Sequence, residues 1–163
     1  MKFQIQCPKT YRSLRDILIV ADNDEDPNGR FREVCDHIVR IFGQGVGPTA
    51  PQQKTKTTPA VTVLMIPWTN ERGHLEQLCC KSAKNAAKGV GSIVDNFFAL
   101  LGSGAWNQSR YGKAWLRVNL AVRCVQDPFI HLGTVFDEPR YHSLIPVDHS
   151  SFDRIANFLA TFA

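Results

Sequence analysis

The sequence predicts an α/β fold with a mostly parallel central sheet flanked by helices, and three observations carry that expectation. Residues 17–21 (ILIVA) and 61–67 (VTVLMIP) are short, strongly apolar runs without apolar/polar alternation, as expected of buried strands. A segment with helical apolar spacing separates them, and several more amphipathic segments follow the second run. At 163 residues, with 44% hydrophobic and 21% charged residues, the chain is long enough to bury a proper core. It is read as a single domain over residues 1–163.

Each element has its own local justification. Residues 2–6 alternate apolar and polar side chains and suit a strand. After the run at 17–21, Asp26 stands as N-cap and Pro27 at the first helical position. Phe31, Val34, Cys35, Ile38, Ile41 and Phe42 then recur at helical spacing, and Gly43 supplies the stop. Residues 43–59 (GQGVGPTAPQQKTKTTP) show no apolar period, so 43–60 is expected to be a long, flexible, exposed loop. Its glycines are not followed by the Gly-Lys-Ser/Thr of a phosphate loop.

Beyond the second strand, 68–73 reads as a polar turn and 75 to about 87 as a helix. The glycines at 89–91 are expected to break it before a second apolar helix carrying Ile93, Val94, Phe97, Phe98, Leu100 and Leu101. A turn at 102–104 leads to a helix over 111–125 with Trp115, Leu116 and Leu120 inward, ended by Asp127-Pro128. Residues 144–147 suit a short edge strand limited by Pro146. Ser150 or Ser151 caps a final helix striped by Phe152, Ile155, Ala156, Leu159 and Phe162. No internal repeat is present.

The formal net charge is +4, with its basic excess concentrated in one stretch. Residues 81–123 carry Lys81, Lys84, Lys88, Arg110, Lys113, Arg117 and Arg123 against Asp95 alone. Such a region can hold a polyanion, DNA or RNA, or it can be a solvated helix face. No run approaches the roughly 20 apolar residues of a membrane span, and the N-terminus lacks the apolar core of a secretory signal. Five cysteines without a CxxC pattern suggest reduced thiols and a cytoplasmic location. Cys79-Cys80 has no second ligand pair spaced for zinc.

The chemistry centres on Asp22, Asp24, Glu25 and Asp26, four acids within five positions at the end of an apolar strand. Carboxylates delivered there are costly without positive charge beside them. In an extended segment alternate side chains point the same way, so Asp22 and Asp24 are expected to face one ion. Mg²⁺, with Mn²⁺ as its substitute, takes one or two carboxylates and keeps waters and substrate phosphate as further ligands. Asp26 would add a ligand through water. The alternative is that Asp26 caps the helix and the other acids favour its positive end. An EF-hand is excluded, because Pro27 and the apolar helix occupy the rest of the loop and no Glu stands at the twelfth position.

A second constellation is Gly73-His74-Leu75-Glu76. Glu76 is placed to join the acids, and His74 to position water or contact phosphate, unless Glu76 is only a helix-start acid. Lys81 and Lys84, on the helix that follows, are candidate substrate-binding residues. His131, His142 and His149 show no metal spacing, and no nucleophile elbow supports Ser-His-Asp catalysis.

A strand ending in VADNDEDP (20–27), the amphipathic helix after it, a strand closing on Pro67, the GHLEQL helix start (73–78) and a terminal amphipathic helix together resemble the Toprim domain. More narrowly, the chain is similar to stand-alone Toprim-like proteins related to OLD-type nucleases, over about residues 14–162. The resemblance implies Mg²⁺-dependent phosphodiester chemistry on nucleic acid, with Asp22 and Asp24 as the DxD motif and Glu76 as an additional acid. These three would be the catalytic and metal-holding carboxylates, joined by Asp26 at the metal. The metal would stabilise charge on phosphoryl oxygens and orient the attacking group. The family pattern also places a glutamate on an earlier strand, and here no Glu precedes residue 25. Gln6 in that place would be a neutral, weaker ligand. The leading expectation is therefore a Mg²⁺-dependent nuclease or phosphodiester-transfer domain. The alternative is a catalytically degenerate module that binds nucleic acid or a protein, with homo-oligomerisation open.

Overall fold

The computed structural model describes residues 14–162. The strand expected at 2–6, with Gln6 and Cys7, lies outside the described residues. The chain divides into two compact units, Met1–Arg72 and Gly73–Ala163.

The first unit is a strand–helix–strand arrangement. Strands β1 (Asp16–Asp22) and β2 (Ala60–Ile66) pair in parallel, with Asp16 opposite Ala60 and Asp22 opposite Ile66. Asn23 N donates to Ile66 O at 2.8 Å, which carries the ladder one step past β1. A parallel pair requires a crossover, and helix α1 (Pro27–Phe42) supplies it. The helix starts as its sequence dictates. Asp26 Oδ1 accepts from Gly29 N at 3.0 Å, and Pro27 sits in the first turn, where its missing N–H costs nothing. At the far end Gly43 leaves the helix at φ 99°, a conformation that favours glycine.

Ile38, Val61, Val63 and Met65 form the core of this unit, with Ile17, Ile19, Ala21, Phe31, Val34 and Phe42 packed against them. Two expectations are corrected. β2 is buried along its whole length, but β1 is not, and Val20 is 52% exposed. β1 has one strand neighbour among the described residues, and only its Ile17, Ile19 and Ala21 face meets the core. Ile41 is also 48% exposed. At 100° per residue it lies about 90° from the centre of the arc defined by Phe31, Cys35, Ile38 and Phe42.

The segment between α1 and β2 contains no helix or strand, yet it is tied to the core. Val46 packs on the cluster, and Pro48 O accepts from Cys35 Sγ at 3.6 Å. Gln52 N donates to Val63 O at 2.8 Å, Thr55 N to Val61 O at 3.0 Å, and Val61 N to Thr55 Oγ1 at 2.8 Å. Residues 52–55 therefore satisfy groups that an open sheet edge would leave bare.

The second unit is helical. It contains α2 (Leu75–Ala86), α3 (Lys88–Leu100), α4 (Gln108–Arg123), α5 (Leu132–Asp137) and α6 (Asp153–Phe162). Short 3₁₀ turns lie at Ser103–Ala105, Pro139–Leu144 and Ser150–Phe152. Helices α2, α3 and α4 pack on one another around Leu78, Ala83, Val94, Phe98, Trp115 and Leu116. Trp115, Leu116 and Leu120 point inward as expected. None of the helices among the described residues is long and apolar enough to cross a membrane.

Four expectations change here. The break between α2 and α3 falls at Ala87, at φ −146° and ψ 70°, and Gly89 and Gly91 lie inside α3. Gly91 is a packing glycine, because a Cβ there would meet Lys84 Cγ at 3.0 Å. On α3 only Val94 and Phe98 of the expected apolar set are buried, while Ile93 and Leu100 are exposed. Residues 144–147 form no strand. Ser143 O and Leu144 O each accept from the Arg123 guanidinium at 2.7 Å, and Pro146 O accepts from Ser82 Oγ at 2.7 Å. Helix side chains thus satisfy the carbonyls that a sheet partner would have taken. Finally, the last helix is not introduced by a serine cap. His149 Nδ1 accepts from Ser151 N at 3.1 Å and opens the 3₁₀ turn before α6.

Candidate functional site

In the first unit, β1 delivers Asp22 to the carboxyl end of the strand, and the chain turns at once. Asn23 is fully buried, and its Nδ2 donates to Trp68 O and to Glu71 O, both at 2.6 Å. Those carbonyls belong to the tight turn after β2, where Trp68 and Glu71 bridge each other. One side-chain amide therefore ties the turn after β1 to the turn after β2. Asp24 follows at φ 51°, a left-handed conformation that aspartate tolerates better than most residues. The extended path expected to aim Asp22 and Asp24 alike ends at Asn23, because Asp24 has left the β region. Asp22 and Asp24 nevertheless flank one fixed turn.

A cation already serves the acids. Arg30, one turn into α1, places Nε 3.8 Å from Asp24 Oδ2 and its terminal nitrogen 2.6 Å from Glu33 Oε2. The hydrogen bond and charge of Arg30 hold the Glu33 carboxyl below the usual carboxylate range. Asp26 is engaged as the helix cap, and Glu25 is exposed. Within either unit, no three His, Cys, Asp or Glu side chains among the described residues form a metal-ligating group.

The remaining candidates, His74, Glu76, Lys81 and Lys84, belong to the second unit. His74 precedes α2 but makes no side-chain capping bond. It is 1% exposed, with Nε2 4.0 Å from Glu76 Oε2 and without a hydrogen-bond partner. Gly112 on α4 presses against this ring, since a Cβ there would lie 3.1 Å from Nε2. Glu76 lies in the first turn of α2, favourable for the helix dipole.

Lys81 and Lys84 line a cavity of about 460 Å³ between α2, α4 and the turn at Ser103–Ala105. Gln77, Trp106, Gln108 and Tyr111 complete much of its wall. Gln77 Nε2 donates to Gln108 Oε1 at 2.9 Å across the rim. Asp95 braces the interior. It receives Trp115 Nε1 at 2.8 Å and Tyr111 Oη at 3.4 Å, and pairs with Lys84 Nζ at 2.8 Å. Burial, followed by the Asp95 charge, pushes the Tyr111 phenol up. Burial also pushes the Cys80 thiol up to about 12, so Cys80 stays protonated at neutral pH and offers no thiolate nucleophile.

Sequence reasoning named neither Asn23 as an anchor nor Asp95 as a brace. Each carried a signal. Asn23 is the one amide inside the acid run, and Asp95 is the one acid among seven basic residues.

The family DUF3226, described as a protein of unknown function, matches residues 1–163. The chain belongs to DUF3226. The DUF3226 match runs through both units and takes in the Asn23 turn and the aromatic–lysine cavity. No curated protein and no solved structure matches this chain.

Proposed function

We propose that this DUF3226 protein is a Toprim-like, Mg²⁺-dependent domain that acts on phosphodiester bonds of nucleic acid. The observation that carries the reading is the pinned turn. A buried asparagine with two 2.6 Å hydrogen bonds holds Asp22 and Asp24 at the carboxyl end of a parallel strand. Ligands of open α/β sheets gather at that end. The donor set suits the ion, because two hard carboxylates are what Mg²⁺ takes from protein when phosphate completes its shell. The guanidinium beside Asp24 is consistent with a position that attracts positive charge.

Asp22 and Asp24 would hold the ion, and Mn²⁺ would substitute. When bound, it would supply charge stabilisation to the phosphoryl oxygens. The chain's own part is to keep the two carboxylates on a turn pinned by Asn23, with Arg30 beside Asp24. Asp26 serves the helix first.

Calorimetric titration of Mg²⁺ and Mn²⁺ into wild type and Asp22→Asn/Asp24→Asn, with a nuclease assay on the same samples, tests this. Binding that disappears in the double variant, with metal-dependent cleavage, supports the enzyme. No binding at millimolar metal sinks the metal reading. Metal binding without cleavage points instead to a catalytically degenerate module.

A further inference from the structure

We propose that the cavity between α2 and α4 is a binding site for single-stranded nucleic acid, taking a base against its aromatic wall and phosphates on a lysine ridge. This goes beyond the proposed phosphodiester chemistry, because it needs no metal and lies wholly within the second unit.

Three observations specify the ligand. The first is the wall. Trp106 and Tyr111 line the cavity, with Phe98 set edge-on to both rings at 5.8 and 5.5 Å. The Arg110 guanidinium lies over the Trp106 ring at 4.1 Å. Arg110 covers one face of Trp106, so a base would stack on the π surface that remains on Trp106 and Tyr111, at little entropic cost because the rings are already held.

The second observation is charge. The cavity shares Lys81 and Lys84 with an adjoining open depression of about 640 Å³ that adds Asn85, Lys88, Ser92 and His149. Asp95 also borders that depression, but its carboxylate is already engaged by Lys84, Trp115 and Tyr111. Lys81 and Lys88 have no carboxylate partner among the described residues. The ridge is therefore net positive and continuous with the aromatic wall, which suits a chain of alternating bases and phosphates.

The third observation is size and polarity. A cavity of about 460 Å³ falls within the usual range for ligand pockets of roughly 300–1,000 Å³. It can admit a splayed base but not a duplex, whose base faces are hidden in the stack. The Gln77–Gln108 amide pair at the rim retains donor and acceptor capacity for a base edge.

The test uses the full chain in EDTA at about 50 mM salt, where counterion effects are strong. Fluorescence anisotropy is read for a short labelled oligothymidylate, a hairpin duplex of equal charge, and a polyglutamate competitor. The expected result is preference for the single strand over the hairpin. Trp106→Ala is expected to weaken binding about 5- to 160-fold. Trp106→Phe should retain most of the affinity, and Lys81→Ala/Lys88→Ala should lower the salt slope by about 1.4. Circular dichroism melts confirm that each variant is folded. No binding of the oligothymidylate to wild type overturns the site. So does equal binding of single strand and hairpin, or full competition by polyglutamate with no effect of Trp106→Ala, since either describes a general polyanion surface. Because the metal is chelated, loss of the Asp22/Asp24 reading leaves these outcomes unchanged.

Discussion

Asn23 is the residue on which the sheet end depends. Its amide makes two short bonds to backbone carbonyls, and its neighbours on both sides are the acids of the candidate site. Asn23→Ala removes both bonds; the Trp68 carbonyl keeps the Glu71 N–H at 2.9 Å, while the Glu71 carbonyl loses the amide. The expected cost is about 1–3 kcal/mol in urea unfolding, the range for a buried hydrogen bond lost on one side. Cys80 makes a prediction of the opposite kind. Its thiol ordinarily ionises near 9.0, and burial raises this to about 12. A group that ionises less readily when folded contributes stability below its unfolded pKa and loses it as pH rises through the folded one. Stability should therefore fall from about pH 9 toward 12, and Cys80→Ala should flatten that part of the profile. The difference between the two unfolding profiles isolates the thiol from other alkaline groups.

At the scale of elements, the helix that follows the acids separates capping from metal binding. Asp26 bonds Gly29 N, so Asp26→Ala should destabilise α1 by about 1 kcal/mol and Asp26→Asn should cost almost nothing. Neither change should abolish Mg²⁺ binding in the calorimeter if Asp22 and Asp24 are the ligands. Residues 144–147 show the reverse lesson. Their apolar sequence suits a strand, yet Arg123 and Ser82 reach their carbonyls first. Backbone groups accept whichever donors the packing brings, and a local pattern cannot name a donor that lies 20 or 64 positions away.

At the scale of the whole chain, the two compact units have different characters. The helical unit has its own buried set in Leu78, Val94, Phe98, Trp115, Leu120, Val135 and Ile145. A fragment of residues 73–163 is expected to give a helical circular dichroism spectrum and a cooperative melt. A spectrum without helix would show that its core needs the first unit.

The sequence by itself determined the parallel strand pair, the helix between the strands with its cap and stop, the central helices and the acid run at a strand end. Those signals are local. Pro27 and Asp26 act within one turn, glycine sets its own backbone, and a β-branched run favours a strand wherever it lies. Only the tertiary structure decided which face of β1 is bare, that residues 52–55 cover the edge of β2, and that Asn23 pins the two turns. It alone assembled the cavity, drawing Lys81, Trp106 and Tyr111 from separate elements and setting Asp95 against Tyr111 and Lys84. Burial and hydrogen-bond partnership are properties of pairs of residues far apart in the chain, and such pairs exist only once the helices and strands have packed.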